Sequence, residues 1–467
     1  MAIALVLFLL VLGTVLFHFL SPWQLTPLAS NWVDIDNTIQ ITMVVTGLVF
    51  VAVNLFMIYA IVRYRFNKNR RALYEPENKK LEIWLIGLTT VGIAALLAPG
   101  LVAWGSFVTV PDEAHEFEVV GQQWHWSYRF PGEDRQFGGI HNRFISSDNP
   151  LGINPEDPRS QDDVIVLSPT VVLPIDLPVK AILRSKDVLH NFKVPNFRAK
   201  MDMLPGQTSF IWLTPTVAGD YDMVCAQLCG IGHFAMRGTV RVVEQEEFNA
   251  WLASQPTFAA LQAREPADVN AGQGLFAPCA ACHGPQGQGN MSTNAPRIAG
   301  VGSWYIERQL RNFKSGARGT HEEDTNGQAM RPFGTMLADD TAIRNVAAYI
   351  DSLPEPAVES TVSGDVRRGE RLFRTCSNCH GHAGQGNESV NGPRLVGVQD
   401  WYQVTQLNNF RRGIRGRHTQ DMYGNQMVDM AQMLADESAV HDVVAYINTL
   451  EPPAGAVAAA KLARRDQ

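Results

Sequence analysis

The residues best suited to chemistry in this 467-residue chain are cysteines, which occur in three close pairs. All six lie between residues 225 and 379: Cys225, Cys229, Cys279, Cys282, Cys376 and Cys379. Close pairs with no cysteine left over are typical of cofactor and metal binding, and they argue against a disulfide framework.

Two of the pairs belong to C-x-x-C-H motifs, which predict covalent attachment of a c-type haem. The motifs are Cys279-Ala-Ala-Cys282-His283 and Cys376-Ser-Asn-Cys379-His380. Two cysteines at this spacing can reach the two vinyl groups of one porphyrin, and the adjacent histidine then falls under the iron as an axial ligand. A zinc site is disfavoured because it would need a partner pair, and each motif has no other cysteine nearby.

A methionine downstream of each motif is expected as the second axial ligand, because a Met/His pair raises the potential of a haem. Met330 and Met427 occupy equivalent positions and are predicted to be these ligands, the alternative being that both fill hydrophobic cores. Met430 is disfavoured because it has no counterpart, and Met336 and Met433 because each directly precedes a core-like leucine.

The remaining cysteines belong to a segment rich in soft ligands, in which Cys225, Cys229, His233 and Met236 follow one another at spacings of four, four and three. An isolated His190 lies upstream. Two thiolates, two imidazoles and a thioether select copper over magnesium or calcium. Two copper ions can share both thiolates as bridges, whereas a zinc site needs four tetrahedral ligands and no methionine.

The two haem motifs lie in an internal repeat with a constant offset of 97 residues, from Cys279 to Cys376. Such a repeat predicts two copies of one domain, joined by the proline-containing linker 353–365. Each copy resembles a class I cytochrome c, which implies an all-α fold. Arg297 and its counterpart Arg394 would either pair with a haem propionate or be solvated.

Three apolar stretches near the N-terminus are long enough to cross a hydrocarbon core of about 30 Å as helices. They are residues 2–20, 41–62 and 83–110. The loop 63–80 carries seven Lys or Arg and is expected in the cytoplasm, which places the later domains on the periplasmic side. The first stretch is expected to be a retained helix and not a cleaved signal, since it lacks a basic n-region and a clean A-x-A cleavage site.

Between residues 113 and 245, short apolar runs separated by Pro, Gly and Asp clusters predict strands of a β-sandwich or barrel. The runs are residues 179–185, 208–214 and 239–244, together with the alternating aromatic residues Trp124, Trp126, Tyr128 and Phe130. In such a domain the two cysteines would lie on one loop, and His190 would come from another.

Residues 35–245 closely resemble subunit 2 of cytochrome c oxidase, whose dinuclear CuA centre has this ligand motif. The resemblance implies a cupredoxin domain with the copper ligands His190, Cys225, the carbonyl of Gln227, Cys229, His233 and Met236. The family usually has glutamate in place of Gln227, and its carboxylate binds magnesium. A magnesium site is therefore doubtful, and Asp202 by itself would not restore it.

The resemblance also assigns two residues outside the copper motif. Trp124 matches the tryptophan through which soluble cytochrome c delivers electrons, and its alternative role is a simple aromatic core. Glu82, at the cytoplasmic start of the last span, matches an acidic residue at a proton-uptake entrance. A carboxylate at a membrane edge can equally be solvated without a further role.

The chain is thus expected to be multidomain, with N-terminal transmembrane helices, a cupredoxin β-sandwich and two all-α cytochrome c domains. The expected segments are a transmembrane helical hairpin with an additional N-terminal hydrophobic segment (1–112), the copper domain (113–245), the first haem domain (246–355), the second haem domain (356–453) and a flexible tail (454–467).

The function that this resemblance implies is the electron-accepting subunit of a haem–copper terminal oxidase. Electrons from a periplasmic cytochrome c or another donor would pass through two haem c groups and the two copper ions of CuA to subunit 1, which holds haem and copper B. This transfer would be coupled to proton pumping. Oxygen reduction is expected in the partner because the spans of this chain contain only one histidine, His18.

The expected setting is the bacterial inner membrane, which the chain would cross several times in contact with lipid and other oxidase subunits. A net charge of −7 gives no reason to expect nucleic-acid binding. Nitrous oxide reductase shares the copper motif but needs a second, histidine-rich copper cluster, and quinol oxidase subunits have lost these ligands. A membrane-tethered multihaem carrier serving another reductase remains an alternative.

Overall fold

The structure is a computed structural model that describes residues 2–21, 26–69, 71, 76–146, 149–418 and 420–451. The predicted tail 454–467 and part of the predicted basic loop lie outside these residues. The described chain forms a group of long apolar helices, a two-sheet β-sandwich and two helical repeats, which confirms the expected fold class.

Three long helices begin the chain: α1 (Ala2–Leu20), α2 (Val33–Arg63) and α3 (Lys79–Val108). All three are long and apolar enough to cross a membrane, and most of their large apolar side chains are exposed. Helix α2 begins at residue 33, earlier than the apolar stretch that predicted it, and its first turn carries two aspartates. The cost of their charge is low because Asp34 is exposed and Asp36 pairs with Arg198.

The β-sandwich is held on the long apolar helices by contacts at the N-terminal end of α2 and the C-terminal end of α3. Asp36 of α2 forms a two-pronged ion pair with Arg198, with N–O distances of 2.6 and 2.7 Å. The indole N–H of Trp32 donates to the carbonyl of Trp212 at 3.1 Å, and the indole N–H of Trp212 donates to Ser106 of α3 at 3.2 Å. These bonds fix the orientation of the copper domain relative to the spans.

Ten strands form the sandwich within the described residues. They are β1 (His115–Gln122), β2 (His125–Phe130), β3 (Val164–Val166), β4 (Thr170–Pro174), β5 (Val179–Ser185), β6 (His190–Val194), β7 (Ala199–Met203), β8 (Thr208–Leu213), β9 (Gly219–Cys225) and β10 (Arg237–Val243). One sheet has the order β3-β2-β1-β5-β8 and the other β4-β10-β9-β6-β7. Most pairs are antiparallel, but β1 runs parallel to β5 and β4 parallel to β10.

The core of the sandwich lies between the two sheets and is built from side chains that alternate along each strand. Trp126 and Tyr128 of β2 are fully buried there, as are Phe192 and Met223 of the opposite sheet. The predicted strands at 179–185, 208–214 and 239–244 are confirmed. The aromatic run is shorter than expected at its start, because β2 begins one residue after Trp124.

The remaining helices form a connector and two equivalent bundles. The connector is α4 (Gln245–Ala253) and α5 (Phe258–Gln262). The first haem domain contains α6 (Val269–His283), α7 (Ser303–Ser315), α8 (Thr325–Met336) and α9 (Asp340–Ser352). The second contains α10 (Val366–His380), α11 (Asp400–Arg411), α12 (Met422–Ala431) and α13 (Glu437–Ile447).

In each bundle the helix that carries the cysteines crosses the last helix at a glycine. A Cβ on Gly272 would lie 2.0 Å from the backbone oxygen of Asn345, and a Cβ on Gly369 would lie 2.0 Å from that of Asp442. Only a residue without a side chain permits this close crossing. The crossing places each C-x-x-C-H motif, at the C-terminal end of its helix, in a fixed position on its bundle.

Candidate copper and haem sites

The predicted copper ligands are brought together at one end of the sheet that contains β6 and β9. His190 is the first residue of β6 and Cys225 the last residue of β9, and these strands are antiparallel neighbours. The backbone N–H of Cys225 donates to the carbonyl of Met236 at 3.1 Å, which closes the loop that contains Cys229 and His233. Ordinary strand pairing thus gathers ligands that are up to 46 residues apart.

The donor atoms of this cluster lie at distances that suit shared metal ions. The two cysteine Sγ atoms are 3.7 Å apart. The Nδ1 of His190 lies 3.9 Å from the Sγ of Cys225, and the Nδ1 of His233 lies 3.4 Å from the Sγ of Cys229. The Sδ of Met236 is 3.9 Å from the Sγ of Cys229, and the carbonyl oxygen of Gln227 is 3.2 Å from the Sγ of Cys225.

All six predicted copper ligands therefore surround one small space. His190, Cys225, Cys229 and Met236 are buried, whereas His233 and Gln227 are half-buried at its outer side. The sulfur and imidazole donors fit soft transition-metal ions such as copper. Asp202, in contrast, is exposed and accepts a hydrogen bond from the side chain of Asn191 at 2.7 Å.

The two thiols are strongly coupled because one donates a hydrogen bond to the other. This bond lowers the pKa of Cys225 to about 3 and raises the pKa of Cys229 well above its ordinary value. Copper that binds a cysteine sulfur must displace the proton of that thiol, so that metal binding to a protonated pair releases protons.

Asp187 is a residue of this site that the sequence analysis missed. Its carboxylate accepts a hydrogen bond from the Nε2 of His190 at 2.8 Å and another from the backbone N–H of Gln123 at 2.8 Å. The bond fixes the imidazole so that Nδ1 faces the sulfur atoms. An acidic residue three positions before a predicted histidine ligand was the available signal, since carboxylates commonly orient metal-bound histidines.

Trp124 lies directly behind the copper loop. Its indole N–H donates to the carbonyl of Cys229 at 3.2 Å, and the side chain of Gln123 donates to the same carbonyl at 2.7 Å. Gly232 is pressed against the indole, where a Cβ would lie 2.6 Å from a ring atom. The tryptophan is thus fixed against the loop, and only 6% of it is exposed.

Each haem motif carries a histidine that is prepared to bind a metal through Nε2. The Nδ1–H of His283 donates to the carbonyl of Pro296 at 2.7 Å, and that of His380 donates to the carbonyl of Pro393 at 2.6 Å. Burial lowers the pKa of both histidines, and the hydrogen bond to the carbonyl offsets this only in part. Both are therefore neutral at pH 7, as axial coordination of haem iron requires.

The methionines of the two bundles differ in exposure. Met330 and Met427 are half-buried, as is Met430, whereas Met336 and Met433 are 57% and 50% exposed. In the second haem domain, both Met427 and Met430 line a cavity that also contains Cys379 and His380. The predicted histidine ligand and two thioethers thus line one space, as ligation of a haem by this domain would require.

The interface between the haem domains contains buried arginines that are related by the repeat. Arg318 donates to the hydroxyl of Tyr402 at 3.1 Å, and Arg415 donates to that of Tyr305 at 3.1 Å. The Nε atoms of both arginines are buried without a hydrogen-bond partner among the described residues. An unpaired guanidinium N–H in this position suits an anionic group, such as a haem propionate.

Arg297 and Arg394, which the sequence suggested for a propionate or for solvent, are bonded within the protein. Both lie within 3.2 Å of Glu355, and each reaches across the interface to a carbonyl of the other domain, that of Gly397 for Arg297 and that of Gly300 for Arg394. Arg297 is 5% exposed and therefore not solvated. The two arginines thus hold the two haem domains together.

The second haem domain also contacts the copper domain. The side-chain amide of Gln426 donates to the backbone carbonyl of Trp124 at 2.5 Å. The ring of Tyr423 stands edge-on to that of His125, with the ring centres 5.8 Å apart. The cavity that contains His380 and Met427 is closed on its other side by Trp124 and the copper loop.

Glu82 is placed far from these sites. It lies exposed in the first turn of α3, where its backbone N–H donates to the carbonyl of Asn78 at 3.0 Å. A carboxylate near a helix N-terminus is favoured by the helix dipole. The described part of the chain thus puts Glu82 at the end of α3 remote from the copper domain.

Comparisons with known proteins agree with this division. The model of the periplasmic domain of cytochrome c oxidase subunit II matches residues 116–243, and the cytochrome c model matches residues 269–354 and 366–451. The chain is 53% identical over 264 residues to the alternative cytochrome c oxidase subunit 2 of Bradyrhizobium diazoefficiens, covering 56% of this chain and 95% of that protein.

Two further relatives support both halves of the match. Cytochrome c oxidase subunit 2 of Cereibacter sphaeroides is 29% identical over 231 residues, covering 48% of this chain and 74% of that protein. Cytochrome c4 of Azotobacter vinelandii is 34% identical over 158 residues, covering 32% of this chain and 74% of that protein. The matched domains imply CuA and haem c, and the apolar helices anchor these periplasmic domains to a membrane. The chain therefore belongs to the cytochrome c oxidase subunit 2 family and carries two additional cytochrome c domains.

Proposed function

We propose that this chain accepts electrons from a reduced periplasmic donor, a soluble cytochrome c or another carrier, and relays them one at a time to subunit 1 of a haem–copper oxidase. The observation that carries the proposal is the copper cluster. The metal-binding atoms of His190, Cys225 and Cys229 lie within 4.8 Å of one another and are buried. His233 and Met236 complete a donor set that suits electron transfer better than a closed structural zinc site.

The proposed copper centre holds two ions. Its ligands would be the thiolates of Cys225 and Cys229, the imidazoles of His190 and His233, the thioether of Met236 and the carbonyl of Gln227, and the ions would supply reversible one-electron chemistry. The rigid position of His190 against Asp187 and the buried sulfur atoms favour a site whose geometry changes little between redox states. A small change in geometry lowers the reorganisation that each transfer requires.

The proposed haem c groups are attached through the cysteines of the two motifs, one group to each domain. Each group supplies reversible one-electron chemistry when it is bound. The chain contributes the neutral histidines His283 and His380, oriented by backbone carbonyls, and the thioethers of Met330 and Met427, which raise the potential. Tethering these groups beside the copper domain gives a high effective concentration without diffusion.

The relay requires a partner in the membrane, because a haem–copper oxygen site needs several intramembrane histidines and the sequence of the three apolar stretches contains one, His18. We place α1, α2 and α3 across the bacterial inner membrane, in contact with lipid, subunit 1 and other oxidase subunits. The basic loop then lies in the cytoplasm. Trp124, fixed between the copper loop and the second haem domain, is the residue proposed to couple them.

Proton pumping by the complex is proposed from family membership, with Glu82 at the uptake entrance. Its exposed position in the first turn of α3 is compatible with proton uptake from the cytoplasm. The change Glu82→Gln is expected to slow proton translocation by the reconstituted oxidase, while Glu77→Gln, in the adjacent loop, leaves it unchanged. Equal translocation in wild type and Glu82→Gln would remove Glu82 from the pathway.

The test of the function is oxygen uptake by the detergent-solubilised complex captured through this chain and fed with reduced cytochrome c. We expect oxygen uptake that is inhibited by cyanide. The variant Cys229→Ser should abolish this uptake. Absence of uptake by a preparation that contains copper, covalent haem and a multi-span partner would show that the relay serves another terminal acceptor.

A further inference from the structure

The two haem domains do not stand in the same relation to the copper domain. Cys379 of the second haem motif packs against the buried core of the copper domain, which includes Trp124, Cys229 and Met236. Helix α12, which carries Met427, lies against the turn His233–Ala235 of the copper loop. The haem-binding face of the second domain is thus turned towards the copper site.

Trp124 links the two sites by direct hydrogen bonds. Its indole N–H donates to the carbonyl of Cys229 on the copper side. Its own carbonyl accepts from Gln426, the residue next to Met427, on the haem side. The two predicted ligands Cys229 and Met427 are therefore connected through the side chain and carbonyl of Trp124 and the side chain of Gln426.

The first haem domain turns its equivalent face elsewhere. By the 97-residue repeat, the positions of Tyr423 and Gln426 correspond to Asn326 and Ala329, and both are exposed. Cys279 packs within the core of its own domain. The described residues of the first domain thus leave open the face that the second domain uses for docking.

The first domain nevertheless supports the docked arrangement. The guanidinium of Arg308 lies 4.2 Å from the ring centre of Tyr423 and donates to the side chain of Asn391 at 2.5 Å. Burial lowers the pKa of Arg308, but a guanidinium is not deprotonated in proteins, so its charge persists against the aromatic ring. Tyr423 is therefore clamped between Arg308 and His125, at the point where all three domains meet.

We infer that the second haem domain is the one that passes electrons to the copper centre, and that the first haem domain receives them from the external donor through its open face at Asn326 and Ala329. This order rests on the proposed relay function. Each electron that leaves the external donor passes from domain to domain and is gained by the copper centre, with one group oxidised as the next is reduced. No proton or further reactant takes part.

The experiment uses the full chain, loaded with copper and haem, and measures how strongly the oxidised copper centre accelerates the magnetic relaxation of each oxidised haem. This effect depends steeply on distance and requires no turnover. The variants Met330→His and Met427→His, which occupy matched positions, identify which haem signal belongs to which domain. Copper-free protein supplies the baseline.

The expected result is strong acceleration for the haem whose signal changes in Met427→His and weak acceleration for the other. The double variant Tyr423→Ala/Gln426→Ala should reduce the strong effect, whereas the matched control Asn326→Ala should not. Equal or stronger acceleration of the first domain's haem, or no response to the double variant, would overturn the order. If the order is reversed but oxygen uptake is normal, the proposed relay function stands and only the order of the haem domains is wrong. If the relaxation results are as expected but oxygen uptake is lost, the proposed function is wrong and the order stands.

Discussion

Removing the carboxylate of Asp187 should weaken copper binding even though this residue does not touch the metal. In the wild-type chain it accepts hydrogen bonds from the Nε2 of His190 and the backbone N–H of Gln123, each at 2.8 Å. Because the His190 side chain is fully buried, Asp187→Ala leaves its Nε2–H without that acceptor and the ring free to turn.

The size of the effect follows from these contacts. A buried donor left without its partner costs about 1–3 kcal/mol. The Asp187 side chain is 27% exposed, so water can replace part of the lost bond and the lower half of that range applies. A loss of about 1.4 kcal/mol corresponds to roughly tenfold weaker copper binding, within the range of about 10–100-fold typical for carboxylates behind metal-bound histidines.

The assay is competition between the metal-free chain and a copper chelator of known affinity, followed by the absorption of the copper–thiolate bonds. Asp187→Asn should bind more tightly than Asp187→Ala, since the amide oxygen can still accept from His190. The matched control is Asp220→Ala, which removes an aspartate that is 53% exposed and paired with Arg241. Wild-type affinity in Asp187→Ala would refute the assignment of Asp187 as a positioning residue.

Three further predictions concern the haem domains. Gly272→Ala and Gly369→Ala should each destabilise their bundle by more than about 2 kcal/mol in chemical denaturation, because the new Cβ would lie 2.0 Å from a backbone oxygen. The control Gly274→Ala, which has open space around the new Cβ, should be neutral or stabilise the bundle by about 0.5–1 kcal/mol. Equal effects at all three glycines would contradict the close helix crossing. Asp400 is 1% exposed, and although burial raises its pKa, hydrogen bonds from Thr361 and Val362 outweigh this and keep the pKa low. The ionised carboxylate therefore stabilises the fold above the unfolded-state pKa of about 3.9, and this stabilisation is lost as the pH falls below that value. Asp400→Asn should destabilise the second domain at pH 7 and make its free energy of unfolding less sensitive to acid. A difference in stability between variant and wild type that does not change with pH would contradict this prediction. Met330→Leu should lower the potential of one haem because a thioether ligand is lost, and Met336→Leu, at an exposed position, should leave both potentials unchanged in a redox titration; a shift in Met336→Leu instead would reassign the ligand.

The sequence was informative wherever a local pattern determines structure. The alternating runs predicted strands of the sandwich, the apolar stretches predicted the three long helices, and the 97-residue repeat predicted two equivalent bundles. Cysteine spacing restricted the metal chemistry because few sites use two thiolates beside a thioether. Helix α2 was predicted to begin too late, since its first turn is polar and is stabilised by a distant partner, Arg198, that no local pattern reveals.

The arrangement of the domains could not be predicted in the same way. The contact between Gln426 and Trp124 joins residues that are 302 positions apart, and it depends on the shapes of two folded surfaces. The role of Asp187 likewise depends on the rotamer of His190. The cofactor ligands could therefore be predicted from the sequence, whereas the order of the two haem domains could not.

The proposed copper and haem relay is most simply tested by elemental analysis of the purified chain, for copper and for iron that remains after the protein is denatured. We expect two copper and two covalently held iron atoms per chain, with copper lost in Cys225→Ser and both iron atoms retained. Zinc in place of copper, a single copper ion, or iron that is released on denaturation would refute the proposed relay.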